Sequence, residues 1–393
     1  MPQQIWRRVS KATGRISYQV KIEVGKKRDG KPKYITKTYA KKKEAEAFKR
    51  KVLEERQQGI VTEPTKMTVG EYLDKWLEAA ARPRLRKVTF DSYKECLRLY
   101  IRPALEERRL KSVNGLTLQG HYASLLERGL SPRTIRYAHS VINSAFRQAV
   151  KWRLIPRNPC KDVELPRQEH KEMQALSPEE AVAFLNAAKA DRLGALIELA
   201  VASGMRPGEY LGLKWSDVDL EVGTVTVQRA LVLGSKVEWY LSEPKTARSR
   251  RTIPLPKGTV EILRKHKTAQ AEVRMKAPAE WNDHGFVFTI KSGQPVNRNN
   301  LVKRNFHRIL KAADLGEWIE VDGKDKKRFV PKIRLYDLRH TCATLLLVAG
   351  ENPKVVSERL GHASISMTLD TYSHVLPTMQ EKAAERLESM LYS

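Results

Sequence analysis

The residues best suited to chemistry lie in one C-terminal stretch. It reads Leu338-Arg339-His340-Thr341, then Leu360-Gly361-His362, then Thr371-Tyr372-Ser373-His374. An arginine, a histidine and a tyrosine in that series suit one kind of reaction, in which a guanidinium fork binds a phosphodiester while a phenol attacks its phosphorus. That chemistry requires no set of metal ligands. A second cluster precedes it, in Ser203-Gly204-Met205-Arg206-Pro207-Gly208-Glu209. Pro207 opens a helix directly after Arg206, so the guanidinium and the free backbone amides could address the same phosphate. Glu209, one turn on, can hold that guanidinium in place. Between the two clusters, Lys245 stands in Glu243-Pro244-Lys245-Thr246-Ala247, an exposed turn.

Local signals place these groups. Leu335, Leu338, Cys342, Leu345, Leu346 and Ala349 recur at helical spacing, which predicts a helix from about Tyr336 to a stop at Gly350. Asn352-Pro353 reads as an N-cap and first helical residue, Gly361 ends that helix just before His362, and Ser364 can cap a third carrying Tyr372. The three polar groups would then sit near helix ends and could converge on one anion. Upstream, Ser177-Pro178-Glu179-Glu180 is a capping start, and residues 193–202 form a helix ending at Gly204. Residues 224–229, 237–241 and 251–255 alternate with period two and predict one small antiparallel sheet. The polar insert at residues 316–329 predicts a surface hairpin. Beyond Pro377, Ala383, Ala384, Leu387, Met390 and Leu391 stripe a last helix whose apolar face needs a cover.

The chain has 393 residues and a formal net charge of +28, which implies two or three domains and a polyanionic partner. Nucleic acid is the first candidate. The first sixty residues alone hold 18 Lys and Arg against 6 Asp and Glu. Alternation at residues 17–24 and 33–39 predicts two strands, residues 5–9 a possible third, and Ala45, Phe48 and Val52 the inner face of a helix. Lys26, Lys27, Arg28, Lys31 and Lys33 surround the hairpin, so a DNA groove suits the open face of that sheet. From Thr68 onward the pattern is helical without strands. Helices are expected from Thr68 to a break at Arg82-Pro83, over 89–100 with Pro103 behind it, over 120–128, and from Ser131 to Trp152. Lys87, Arg133 and Arg136 lie on the basic edges of this bundle and could contact backbone phosphates. Pro156, Pro159 and Pro166 mark a linker.

The expected fold class is therefore multidomain α+β. It comprises a small N-terminal β-sheet plus helix (1–66), an all-α bundle (67–165) and a mixed, mainly α domain with a small antiparallel sheet (175–393). Cys96, Cys160 and Cys342 are isolated thiols, which predicts neither a disulfide framework nor a structural zinc site and fits a reducing cytoplasm. No cofactor or metal is implied, and no apolar run approaches membrane-spanning length.

At this point the order of motifs becomes specific. An Arg in S-G-M-R-P-G-E, a Lys in a β-turn, an Arg in L-R-H-T, a His in L-G-H and a Tyr ten residues later resemble the tyrosine recombinase (phage integrase) family. The helical bundle resembles that family's core-site DNA-binding domain, and the N-terminal sheet its arm-type domain. The resemblance implies that Tyr372 attacks the scissile phosphate, leaving a 3′-phosphotyrosyl link and a free 5′-hydroxyl. Arg206 and Arg339 would grip the non-bridging oxygens, Lys245 would protonate the leaving 5′-oxygen, and His362 would hydrogen-bond the phosphate. A homotetramer working through a Holliday junction is implied, with accessory DNA-bending or directionality proteins as possible partners and the tail helix docked on a neighbouring protomer.

One position departs from the pattern. Three residues before the second arginine the family usually has His, sometimes Lys, where this chain has Tyr336. A phenol is a poorer proton acceptor than imidazole at neutral pH, so the group that assists deprotonation of Tyr372 stays open. His340 reads as a brace of the scaffold, and His374 as a further nearby imidazole. Two rival readings remain: a DNA-binding regulator without catalysis, with residues 341–360 as a helix-turn-helix, and a strand-relaxing enzyme of type IB topoisomerase chemistry.

Overall fold

The computed structural model of the chain describes residues 5–9, 14–26, 32–57, 67–169, 173–233, 239–243, 250–276, 279, 281–321, 324–372, 384–385 and 387–392. The chain forms two compact units, Met1–His170 and Lys171–Ser393.

The first unit holds two separate hydrophobic cores. In its N-terminal part β1 (Ile5–Val9), β2 (Ile16–Lys26) and β3 (Pro32–Tyr39) form an antiparallel sheet with β2 in the middle. The pairing Ile22↔Ile35 sets the register, and Val20 and Ile22 on the inner face are buried against Ala45 and Val52 of α1 (Lys42–Gln57). A sheet this small needs that helix to cover one face. The other face stays open, with Trp6 and Tyr34 among its exposed residues.

The second core is helical. α2 (Val69–Trp76) starts at a capping box in which Thr68 and Glu71 satisfy each other's backbone amides. α3 (Lys87–Cys96) does not stop short of Pro103 as the sequence pattern predicts; it runs through a π-helical turn, Leu97–Ile101, into α4 (Arg102–Leu105). The wide turn breaks the i→i−4 ladder where proline has no N–H to give, so the helix continues past it. α5 (Gly115–Glu127) begins earlier than its apolar pattern suggests, because Asn114 accepts from the Thr117 amide and caps it there. α6 (Pro132–Lys151) has Ser131 as its cap. Tyr72, Trp76, Leu97, Leu118, Tyr122 and Phe146 meet in the core.

The second unit carries α7 (Pro178–Ala188), α8 (Gly194–Ser203) and the short α9 (Pro207–Leu211), then five strands. β4 (Val218–Asp219), β5 (Thr224–Val227) and β8 (Arg251–Pro254) form one sheet in the order β4-β5-β8. β6 (Ala230–Leu233) and β7 (Trp239–Ser242) form a separate hairpin, so the three period-two runs do not make the one sheet expected of them. The chain bends after Val227 because Arg229 turns in to pair with buried Asp217. β6 then lies so close to α9 that a Cβ on Gly212 would come within 2.6 Å of the Leu231 nitrogen. Next come α10 (Lys257–Lys276) and α11 (Arg298–Asn300), which passes through a π turn into α12 (His307–Ala312). The insert is a hairpin of β9 (Gly316–Val321) and β10 (Lys324–Pro331). α13 (Asp337–Val348), α14 (Pro353–Leu360) and α15 (Ile365–Tyr372) follow. Near the C-terminus residues 387–391 are helical, with Leu387, Met390 and Leu391 exposed. No helix among the described residues is long and apolar enough to cross a membrane.

Candidate active site

Three chain turns in the second unit bring the basic groups together. The first is the end of α8. Gly204 takes a left-handed φ of 65°, and a Cβ there would lie 2.6 Å from Leu360 and 3.2 Å from Cys342 Sγ, so only glycine lets α13 and α14 close onto this turn. Arg206 follows as the N-cap of α9. Its backbone N–H donates to Glu209 Oε2 at 2.8 Å and its Nη1 to Glu209 Oε1 at 2.9 Å. Glu209 thus holds the guanidinium as expected, but it also occupies the Arg206 amide, which is withdrawn from any anion.

The second turn ends α14. Asn352 caps its start, and Gly361, φ 68°, closes it in the left-handed conformation. His362 comes next. Its Nδ1 lies 2.7 Å from the Thr368 hydroxyl, which is fully buried on α15. Arg206 Nη2 reaches the Gly361 carbonyl at 3.4 Å, linking the two turns.

The third element is α13. Arg339 is 2% exposed; Nη1 donates to the Gly204 carbonyl at 2.9 Å, while Nη2 is buried with no acceptor among the described residues. Leaving a buried donor unmade costs on the order of 1–3 kcal/mol, and more for a charged group, so Arg339 is held here at a cost to stability. Burial, and secondarily the neighbouring Arg206, pulls the Arg339 pKa down to about 10. It remains a cation at neutral pH.

Two arginines without an assigned role complete the frame. Arg251, at the start of β8, donates through Nη2 to Glu209 Oε2 at 2.8 Å and through Nε to the Arg359 carbonyl at 2.7 Å. Arg359 in turn donates to the carbonyls of Ala202 and Pro254 at 2.7 and 3.0 Å. Burial disfavours the charge on Glu209, but Arg251 and Arg206 outweigh it and hold the carboxyl below its ordinary range. Arg251 opens the period-two run 251–255, and only the strand's inward register marks it.

Tyr372 ends α15 and is 2% exposed. Its hydroxyl lies 2.7 Å from His340 Nδ1 on α13, and burial raises its pKa, with Arg339 opposing. His340, read from sequence as a brace, therefore touches the phenolic oxygen itself. Tyr336, the N-cap of α13, is 38% exposed and sets its ring, tilted by 59°, 5.5 Å from that of His340, which is 5.8 Å from Tyr372. Burial, with help from Arg339 and Arg334 and against Asp337, lowers the His340 pKa. His362 is pushed down to about 4 by burial first, then by Arg339, Arg206, His340 and Arg251. Both imidazoles are neutral at pH 7.

The cluster thus gathers Arg206, Arg339, His362, Tyr372, Glu209, His340 and Tyr336. Lys245 and His374 lie outside the described residues, as do Lys27, Arg28 and Lys31. Lys26 and Lys33 are at the far end of the β2–β3 ladder. In the first unit Lys87 and Arg133 are exposed, and Arg136 donates to the Pro166 carbonyl at 2.9 Å, fastening the segment that leaves the bundle. A groove of about 920 Å³ lined by Asp219, Glu221, Arg264 and Lys267 shares no residue with the cluster.

Comparison with known proteins gives this geometry a family. The profile of the phage integrase family matches residues 174–379, more than half of the chain, and that of the phage integrase N-terminal SAM-like domain matches residues 68–126. The chain is 32% identical to a tyrosine recombinase XerC-like protein of Caldanaerobacter subterraneus subsp. tengcongensis, over 96% of this chain and 97% of the relative. Its fold is similar to the Tn1549 transposon integrase in complex with a circular intermediate DNA, with a TM-score of 0.66 at 24% identity over 82% of this chain and 99% of that one. It is also similar to the lambda integrase in a tetramer bound to a Holliday junction, with a TM-score of 0.55 at 18% identity over 93% and 94% of the two chains. The chain belongs to the phage integrase family and is a tyrosine recombinase.

Proposed function

We propose that the chain performs site-specific recombination for a mobile element, cutting and rejoining double-stranded DNA through a 3′-phosphotyrosine on Tyr372. The observation that carries this reading is the buried, unpartnered Nη2 of Arg339 beside Arg206, with Tyr372 close enough for Arg339 to favour its phenolate. Arg206 and Arg339 neutralise the scissile phosphate and stabilise the charge that grows in the pentavalent transition state. His362 donates to that phosphate through Nε2–H, its Nδ1 being engaged by Thr368. Lys245 serves as the acid for the leaving 5′-oxygen. The bond energy is kept in the ester, so no nucleotide cofactor is needed.

The same reading assigns DNA contacts outside this cluster. Residues 1–66 form an arm-site module whose open sheet face, with Lys26, Lys27, Arg28, Lys31 and Lys33, enters a groove. Residues 67–165 form a core-site module with Lys87, Arg133 and Arg136 at the phosphates. Four protomers assemble on a Holliday junction, as lambda integrase does. The apolar tail residues Leu387, Met390 and Leu391, each more than half exposed, suit docking on a neighbouring protomer. The enzyme acts in the host cytoplasm, with accessory DNA-bending proteins as candidate partners.

A nicked suicide duplex carrying the core site tests this. Wild type should give a covalent protein–DNA adduct on a denaturing gel, and Tyr372→Phe none. Site-specific binding without an adduct would favour a regulator; an adduct formed by a monomer that relaxes supercoils without strand exchange would favour a topoisomerase.

A further inference from the structure

Tyr372 must lose a proton as it attacks, because a phenol with a pKa near 10 is only about one part in a thousand ionised at neutral pH. At the position where the family usually offers His or Lys, this chain has Tyr336, itself a phenol. From the geometry we infer that His340 is the general base of the cleavage step, taking the Tyr372 proton on Nδ1. This rests on the reading of Tyr372 as nucleophile and adds a catalytic residue to it.

The placement follows from helical spacing. Tyr336, the N-cap, and His340 are four residues apart at the start of α13, so their rings share a face, and α15 brings Tyr372 against the same imidazole. The 2.7 Å contact between Tyr372 Oη and His340 Nδ1 is a direct path for the proton. With the ring proton on Nε2, Nδ1 accepts from the phenol. The groups facing the imidazole are Tyr336, Asp337 and Arg339 on α13, Arg334 just before it, His362 after α14 and Tyr372 on α15. Burial and the two arginines keep it neutral, the form a base requires, while Asp337 favours the imidazolium formed in the step. Tyr336 packs on the ring and orients it.

The step balances. The Oη–H bond breaks and its proton goes to Nδ1; an Oη lone pair forms the bond to phosphorus; the P–O5′ bond breaks and its electron pair leaves with the 5′-oxygen, which takes a proton from its own acid. In religation the imidazolium returns the proton to Tyr372.

The test uses the full chain and a nicked duplex bearing the junction that wild type cleaves, with single-turnover adduct formation followed from pH 5 to 9.5. In wild type the rate should rise as pH climbs through the lowered pKa of His340 and level off by neutrality. His340→Asn keeps an acceptor near the Nδ1 position but takes up no proton. Its rate at pH 7 should fall by about 10²- to 10³-fold, then climb about tenfold per pH unit so that the gap narrows at alkaline pH. Imidazole should restore part of the rate of His340→Ala. A duplex with sulfur replacing the bridging 5′-oxygen, whose leaving group needs no proton, should leave His340→Asn slow. Several outcomes overturn the inference: a rate within threefold of wild type, a loss equal at every pH, or full rescue by the sulfur substrate. Should the variants fail to fold, the free protein still decides, since Tyr372→Phe must change the ¹⁵N shift of His340 Nδ1 and an unchanged shift overturns the contact. If wild type makes an adduct that Tyr372→Phe loses while His340→Asn behaves as wild type, only the base assignment falls. If wild type makes no adduct, the nucleophile falls and the base with it.

Discussion

The helical bundle of the first unit and the arginine-laced cluster of the second treat buried polar groups in opposite ways. In the bundle the buried phenols and imidazole are answered by neutral partners: Tyr72 donates to the Ala145 carbonyl at 2.6 Å, His121 bonds the Tyr100 carbonyl at 2.6 Å, and Tyr122 meets His139 at 3.2 Å. The surroundings are large apolar side chains. In the cluster Arg206, Arg251 and Arg339 crowd together, Glu209 is the carboxylate that two of them touch, and nitrogens of Arg339 and Arg359 stay unanswered among the described residues. Ala343, Leu347, Val356, Leu360 and Tyr372 form a small apolar cluster beside it, and Met205, Tyr210, Ile253 and Leu338, near its charged residues in the chain, belong to the main core of the unit. The bundle is held by packing, whereas the cluster holds positive charge that a phosphate would complete. Stability and chemistry should therefore separate on mutation.

Glu209→Ala should have the largest effect. Removing one member of a buried ion-pair network costs about 3–5 kcal/mol, because the remaining guanidiniums lose their counter-charge. Urea unfolding should report that loss together with impaired cleavage. A midpoint like wild type would mean that the arginines do not depend on it. Next, Arg339→Ala should slow adduct formation by roughly 10²- to 10³-fold while moving the melting temperature little, since it also removes an unpartnered buried donor. Parallel losses in both would erase the contrast between the two regions. Leu118→Ala, fully buried in the bundle, should invert that result: about 2–5 kcal/mol of stability lost, with an unchanged cleavage rate wherever the protein is folded and bound.

Smaller effects sharpen the picture. Thr368→Val leaves His362 Nδ1 without its hydroxyl, which at about 0.5–1.5 kcal/mol should slow cleavage roughly three- to tenfold, and Thr368→Ser should restore it. Acid should act on the cluster through His362. Its folded pKa of about 4 lies below the unfolded value of about 6.5, so the unfolded chain binds the proton first. Stability should be full above about pH 6.5 and decline as pH falls toward 4. A His362→Asn variant lacking that slope would assign it to this residue; an unchanged slope would assign it elsewhere.

Much of this was legible in the chain itself. Glycine and proline positions carry the helix ends at Gly204, Asn352-Pro353 and Gly361, because left-handed φ and a missing N–H are properties of single residues. The Arg206–Glu209 pair was legible for the same reason, being one helical turn apart. Neighbours distant in sequence were not. Arg251 meets Glu209 across 42 positions, and nothing in a run of basic residues says which one turns inward. The π turn before Pro103 and the split of the expected sheet, where Arg229 turns in to Asp217, depend on backbone hydrogen bonding and a distant partner that period-two and period-3.6 patterns do not encode.

What the sequence determined by itself was the inventory and order of groups: two arginines, a histidine and a tyrosine, each tied to a helix end by residues beside it. What only the folded chain decided was their pairing. His340 touches the Tyr372 hydroxyl, Thr368 engages His362, and Arg339 keeps one nitrogen unanswered, because α13 and α14 close on the turn after α8 at distances set by packing around Gly204, and α15 packs on α14. Hydrogen bonds are satisfied over about 3 Å, a range that spacing along a chain does not resolve and three-dimensional closure does.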